Sequence, residues 1–173
     1  METERLIIRP IAEIDFEDIS QYGCDEETGR YMIYWPKSKE QLKVFINFCI
    51  TAMNSEYPTW YEFVIQLKPT SKVIGNITLQ VKEAEAEIGW ISNKNYWNKG
   101  YMSEAVTEVI KFAFNNLPIC KIIATCTDKN IASYRVMEKC NMIRIYEENN
   151  IKAMKQGFEV TYNKLTYCIT RGL

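Results

Sequence analysis

A chain with no histidine has to find its proton acceptors elsewhere, because imidazole is the one side chain that ordinarily titrates near neutrality. Carboxylates, Tyr, Cys, Lys and water remain for acid and base work. Glu85 and Glu87 lie two apart in the run from Glu83 to Ser92, a spacing that puts both on one face of an extended strand. Soon after comes Tyr96-Trp97-Asn98-Lys99-Gly100-Tyr101-Met102-Ser103-Glu104-Ala105-Val106, which reads as a tight loop turning into a helix. Apolar residues recur at Met102, Ala105, Val106, Val109, Ile110, Ala113 and Leu117, the spacing of one helical stripe. The first N–H groups of such a helix have no partner and carry the positive end of its dipole. Gly100 lets the backbone approach an anion closely or take a positive φ, and Lys99 adds a full charge. This pattern suits a phosphorylated ligand; an ordinary loop-to-helix junction with an exposed lysine has the same letters. Neither G-x-x-x-x-G-K-[ST] nor G-x-G-x-x-G occurs anywhere in the chain.

Composition narrows the field. A length of 173 residues suits a single domain spanning 1–173 with one sizeable core. The hydrophobic fraction of 47% and charged fraction of 25% are those of a globular protein. With 21 Lys+Arg against 22 Asp+Glu and a net charge of −1, no global field steers nucleic acid or an anionic membrane. No apolar run is long enough to span a bilayer, and the N-terminus lacks a signal-peptide layout, so a cytoplasmic protein is expected. The six cysteines, Cys24, Cys49, Cys120, Cys126, Cys140 and Cys168, show no C-x-x-C spacing and read as free thiols, mostly in the core. Without histidine, no metal site is expected.

These residues need elements to position them. Residues 3–10 form a first strand closed by Pro10. Residues 14–22 form a short helix started by Asp15, and an irregular segment over 23–35 follows. Its neighbourhood gathers Tyr22, Tyr31, Tyr34 and Trp35, which either pack under the loop or line a substrate entrance. Ser38-Lys39-Glu40-Gln41 is a capping box opening a helix that buries Leu42, Phe45, Ile46, Cys49, Ile50 and Met53. Residues 60–67 and 73–81 form a hairpin about the turn at 68–72, with a bend or bulge at Gly75. Residues 83–92 are a third antiparallel strand leading into the loop. Beyond Pro118, residues 119–125 form a strand buried on both faces. Asp128 or Asn130 caps a helix through Cys140 with Ala132, Val136 and Met137 inward. Strands over 142–146 and 159–170 close the chain, divided by a charged loop over 147–156. The fold class is α/β (α+β in some schemes), a mixed, mostly antiparallel sheet with helices on both faces and a crossover around the loop.

Taken together, Thr3-Glu4-Arg5-Leu6-Ile7-Ile8-Arg9-Pro10, Val73-Ile74-Gly75-Asn76-Ile77, Ala86-Glu87-Ile88-Gly89-Trp90, the loop from Tyr96 through Ala105, and Asn130-Ile131-Ala132-Ser133-Tyr134-Arg135-Val136-Met137-Glu138-Lys139 resemble the GNAT superfamily of acyl-CoA N-acyltransferases. Within it they are similar to the RimJ/RimL ribosomal-protein N-terminal acetyltransferases. The resemblance covers nearly the whole chain. It implies acetyl-CoA as cosubstrate, with its pyrophosphate on the backbone of Trp97, Asn98, Lys99, Gly100, Tyr101, Met102 and Ser103. It also implies that the strand through Trp90, Ile91 and Ser92 splays from the next parallel strand and pairs with the pantetheine arm. Asn130 and Ser133 match the family's N-x-x-S near the CoA thiol. Glu87 matches a strand position that serves as general base in some members, and backbone N–H groups near Ile91 match an oxyanion site.

Three departures stand out. The family loop, Q/R-x-x-G-x-G/A, is met only at Gly100, with Trp97 at its first position and Met102 at its last. Cys140-Asn141-Met142 replaces an apolar residue, Gly and Phe. Met137 stands where many members carry a general-acid Tyr, which leaves Ser133, with Tyr134 in reserve, to serve the departing thiolate. An acyl-cysteine route through Cys126 or Cys140 is disfavoured because no histidine activates a thiol. The expected activity is direct acetyl transfer in a ternary complex to a primary amine, a protein N-terminus or a small molecule, by a monomer or homodimer. Two alternatives remain, a CoA-binding module without turnover and a purely structural domain. The acceptor pocket is expected from segments 23–35 and 147–156.

Overall fold

The computed structural model describes residues 1–32, 36, 38–155 and 157–172; Tyr34 and Trp35, two of the aromatics named above, lie outside them. Seven strands form one sheet in the order β1-β2-β3-β4-β5-β7-β6. They are β1 (Leu6–Pro10), β2 (Trp60–Leu67), β3 (Val73–Lys82), β4 (Glu85–Ser92), β5 (Lys121–Thr127), β6 (Ile143–Lys155) and β7 (Phe158–Thr170). Every neighbouring pair is antiparallel except β4 with β5. Helices α1 (Phe16–Gly23), α2 (Lys39–Met53), α3 (Tyr101–Asn116) and α4 (Ile131–Lys139) complete the chain.

Alternation along β2 shows how the two faces are filled. Phe63 and Ile65 join Ala105, Val106 and Val109 of α3 in one core, whereas Val64, between them in sequence, joins Ile19 and Tyr22 of α1 and Ile46 of α2 in the other. Period-two side chains on a sheet and a helical stripe on each covering layer thus build two cores on opposite faces. Ser38 caps α2, its Oγ accepting the Gln41 N–H at 3.3 Å, as the capping box requires.

Several details differ from expectation. The first strand begins at Leu6 because Thr3 turns the chain, its Oγ1 accepting the Leu6 N–H at 2.9 Å. Asp15 sits at the cap of α1, yet its buried carboxylate accepts two bonds from Arg9 and one from the Ala12 N–H and none from the helix. The β5 strand alternates: Ile122 and Ala124 are buried while Lys121, Ile123 and Thr125 are half-exposed, so only one face meets a dense core. Ala132 is exposed and Met137 carries the inward side of α4. The segment over 147–156 belongs to an extended hairpin: β6 runs on to Lys155, paired to β7 as far as Phe158. Cross-strand ion pairs from Lys152 to Glu159 and Lys164 to Glu148 supply pairing that the polar sequence conceals. All six thiols are free; Cys49 and Cys140 are buried, three are half-buried and Cys120 is exposed. Among the described residues no helix is long and apolar enough to cross a membrane.

Candidate active site

The loop before α3 is built from two left-handed residues. Asn98 has φ 60° and Gly100 φ 80°, a conformation that Gly adopts freely and Asn better than most. Trp97 Nε1 donates to the Ser92 carbonyl at 3.0 Å, which pins the loop to the end of β4. The Lys99 ammonium folds back onto the Asn95 carbonyl at 3.1 Å, and Ser103 Oγ donates to the Gly100 carbonyl at 2.9 Å. The first helical bond runs from Glu104 N–H to the Gly100 carbonyl at 3.1 Å. The N–H groups of Tyr101, Met102 and Ser103 therefore precede the helical ladder and open toward an anion.

Arg5, unassigned by sequence reasoning, braces this loop. Its Nε and Nη2 reach Glu104 Oε2 at 2.7 and 2.5 Å, and its Nη1 donates to the Lys99 carbonyl at 3.1 Å. Thr3 Oγ1 donates to the other Glu104 oxygen at 2.5 Å. Burial pushes the Glu104 carboxyl up, but the bonds from Thr3 and Arg5 outweigh it and hold the group below its usual range. The guanidinium also lies 4.5 Å from the centre of the Tyr101 ring. No local motif announced this contact.

Behind the loop the sheet opens. β4 and β5 pair only through Glu85 with Lys121, Ala86 with Ile122 and Glu87 with Ile123. From there β4 stays on β3 as far as Ser92, while β5 stays on β7 as far as Thr127. Gly75 permits the tight β3–β4 approach, since a Cβ there would sit 2.7 Å from the Ile91 carbonyl oxygen. That contact turns the backbone of Ile91 toward β3, so strand alternation gives the N–H of Trp90, not that of Ile91, to the gap. Side chains divide likewise, Trp90 packing on the α3 side and Ile91 on the α1–α2 side.

On the α1–α2 face, cross-strand register sets out rows of residues. Trp60, Gln80 and Glu87 form one row; Glu62, Thr78 and Gly89 form the next; Val64, Asn76 and Ile91 the third. Glu87 is exposed at the last paired position before the gap and accepts a bond from Thr125 Oγ1 on β5 at 3.2 Å. Gly89 is exposed, and a Cβ there would meet nothing within 4 Å among the described residues. This leaves an open slot beside Glu87. Glu62, read in the sequence only as part of an aromatic and β-branched strand, is fully buried. Burial pushes its carboxyl up to about 7, against hydrogen bonds from Thr78 and Asn76 that lower it. Segment 25–30 is tied at both ends of this face. Lys94 pairs with Asp25 and Glu27 at 3.0 Å, and the Lys155 ammonium donates to the carbonyls of Gly29 and Arg30.

At the start of α4, Asn130 Oδ1 accepts the Ser133 N–H at 3.2 Å, so the Asn130 side chain is spent as a helix cap. Ser133 is half-buried on the first turn. Tyr134 instead lines a cavity of about 640 Å³ between α4, β6 and β7, with Arg144, Leu165 and Tyr167; it does not share a face of the sheet with Glu87. Met137 is fully buried, leaving no hydroxyl at that position. Burial pushes the Cys126 thiol up to about 11 and also raises Cys140, so neither is poised as a thiolate.

An unpaired strand edge, a gap and a helix N-terminus in line have the donor pattern that a pantetheine amide chain ending in a pyrophosphate needs. Comparison with known proteins agrees. A profile of the acetyltransferase (GNAT) domain matches residues 5–143. The uncharacterized N-acetyltransferase YnaD of Bacillus subtilis (strain 168) is 34% identical over 144 residues, covering 82% of this chain and 81% of that protein. Among solved structures, a GNAT-family acetyltransferase from Bacillus anthracis superposes with a TM-score of 0.85 at 31% identity, over 98% of this chain and 97% of that one. RimL, a ribosomal L7/L12 alpha-N-protein acetyltransferase in complex with coenzyme A, shares the fold with a TM-score of 0.84 at 15% identity, over 97% of this chain and 95% of its own.

Proposed function

Because this chain belongs to the GNAT family of acetyltransferases, we propose that it transfers an acetyl group from acetyl-CoA to a primary amine, by direct attack within a ternary complex. The observation that carries this reading is the separation of β4 from β5 after Glu87, in line with the left-handed loop at Asn98 and Gly100. Acetyl-CoA supplies an acetyl group activated as a thioester. The N–H groups of residues 98–103 hold its pyrophosphate, with Arg5 fixing the loop; the edge of Trp90, Ile91 and Ser92 receives the pantetheine arm through the outward N–H of Trp90. Asn130 orients the first turn of α4.

The acceptor enters from the α1–α2 face over Gly89. Glu87 takes the proton that the amine loses as the N–C bond forms and the C–S bond breaks, and Ser133 Oγ serves the departing thiolate. RimL's acceptor is a ribosomal protein, so a protein N-terminus joins small amines as the acceptor class. The raised thiols of Cys126 and Cys140 support transfer without an acyl-cysteine. Met137 in the core favours one second reading, a module that binds CoA without turnover. Release of CoA thiol from acetyl-CoA across peptides with free N-termini, polyamines and amino acids separates the two. Acetyl transfer gives amine-dependent thiol; a binding module gives none with any amine.

A further inference from the structure

The buried carboxyl of Glu62 belongs to no step above, and its hydrogen bonds all run in one direction. Tyr22 OH donates to Asn76 Oδ1 at 3.2 Å, and Asn76 Nδ2 donates to Glu62 Oε1. Thr78 Oγ1 donates to Glu62 Oε2 at 2.7 Å. Glu62 and Asn76 are buried, but Thr78 is only half-buried. It pairs across β3–β4 with Gly89, the exposed floor of the slot beside Glu87. When Glu62 is ionised, the Thr78 proton is committed to Oε2 and the free lone pairs of its oxygen are left for the slot. Oε2 faces a hydroxyl that can turn from donor to acceptor, which makes it the oxygen to carry a proton arriving on Glu62. The Thr78 oxygen must then accept it, and its own O–H swings outward.

We propose that Glu62 is a positioning residue for the acceptor amine: ionised, it holds the Thr78 proton inward and leaves both lone pairs of that hydroxyl to accept over Gly89, and protonated, it turns the Thr78 proton outward, where it opposes an ammonium. This rests on the acetyl-transfer reading for the identity of the slot's occupant. Besides Thr78 and Asn76, the Trp60 indole of β2 faces Glu62 and favours its ionised form. Tyr22 of α1 acts through Asn76, with Asp15 and Asp18 near that phenol; Cys49 of α2 feels the Glu62 charge and is itself raised by burial; Glu87 of β4 stands one row away. Among the described residues no cation acts on Glu62. Burial, which pushes this carboxyl up to about 7, places the switch near neutrality.

The test uses the full-length protein with CoA bound and measures binding of n-butylamine and spermidine by calorimetry from about pH 6 to pH 8.5, where butylamine stays cationic. Wild type should bind these amines about tenfold more tightly at the upper end, the worth of one hydrogen bond to a charged group. Thr78→Val and Glu62→Gln should bind weakly or without the pH step, and Thr78→Ser should keep it. The step should persist in a Glu87→Gln background, which removes the neighbouring carboxylate. A pH step that survives Thr78→Val, or a wild type with no step for either amine, overturns the proposal. Should Glu62→Gln fail to fold, Thr78→Val decides alone, since it leaves the buried carboxyl in place. Normal pH-dependent binding with no CoA release from acetyl-CoA would sink acetyl transfer and leave the Glu62–Thr78 switch standing.

Discussion

Arg5 and Glu104, 99 residues apart in the chain, meet with Arg5 Nε 2.7 Å from Glu104 Oε2, and through them the first strand is fastened to the first turn of α3. The pair is partly exposed, at 43% and 21% of the side chains, so its Coulombic worth to stability is under about 1 kcal/mol. Its consequence lies in the position of the loop, because the same guanidinium holds the Lys99 carbonyl.

Arg5→Ala should therefore leave the melting temperature almost unchanged while weakening CoA binding roughly tenfold, through loss of preorganisation. Calorimetry with CoA checks this. Parental affinity in the variant would show that the loop holds its shape without the brace.

Gly100→Val places a β-branched residue at φ 80°, a left-handed conformation costing such a residue about 1–2 kcal/mol or more. Gly157, at φ 87° in the β6–β7 turn with open space around it, provides the control. Both valine variants should lose comparable stability, but only Gly100→Val should weaken CoA binding, by about tenfold or more. Equal CoA affinity in the two would move the pyrophosphate off this loop.

Glu87→Gln keeps size and can still accept the bond from Thr125, yet takes no proton. The expected outcome is a fall in kcat of about 10²-fold with CoA affinity unchanged, and recovery at high pH where the amine is already neutral. Steady-state kinetics across pH 6 to 9 reads both. A variant with parental kcat throughout would leave Glu87 as a solvated strand charge. Ser133→Ala should lower kcat without the alkaline recovery.

Glu62 links stability to pH. Burial raises its folded-state value above the ordinary 4.5 to about 7, so its contribution is fully present below about 4.5 and is lost as pH rises through about 7. Relative to Glu62→Gln, wild type should become less stable between pH 5 and pH 8, by an amount on the order of 3 kcal/mol. Denaturant melts of both proteins at the two pH values measure it. A constant difference would mean that Glu62 ionises in the fold as it does in water.

Local pattern made much of this architecture readable. The hairpin of β2 and β3, the capped α2 and the helix opening at Gly100 each follow from side chains within a few residues of one another, as turn and cap chemistry do. What escaped depends on register and long reach. Glu147-Glu148-Asn149-Asn150 has poor strand propensity, and only its pairing with β7 makes it a strand. The Trp90 N–H faces the gap because Gly75 draws Ile91 close, a fact held jointly by two strands. Glu62 is one acid in an alternating run; its significance arises from Asn76 and Thr78, which the next strand supplies. Arg5 and Glu104 lie at distant points of the chain, and no spacing rule joins them.

The opening between β4 and β5 gives one strand two unlike sides. Gly89 and Ile91 spend their amides on β3, while the amide of Trp90 faces a space without a neighbouring strand. Hydrogen exchange along β4 should accordingly alternate in the free protein, with Trp90 trading its proton in minutes between neighbours protected for far longer. A molecule laid in the gap as a further strand would erase that alternation. A single amide in the middle of the sheet thus becomes a clock for occupancy, readable without turnover and before the acceptor is identified.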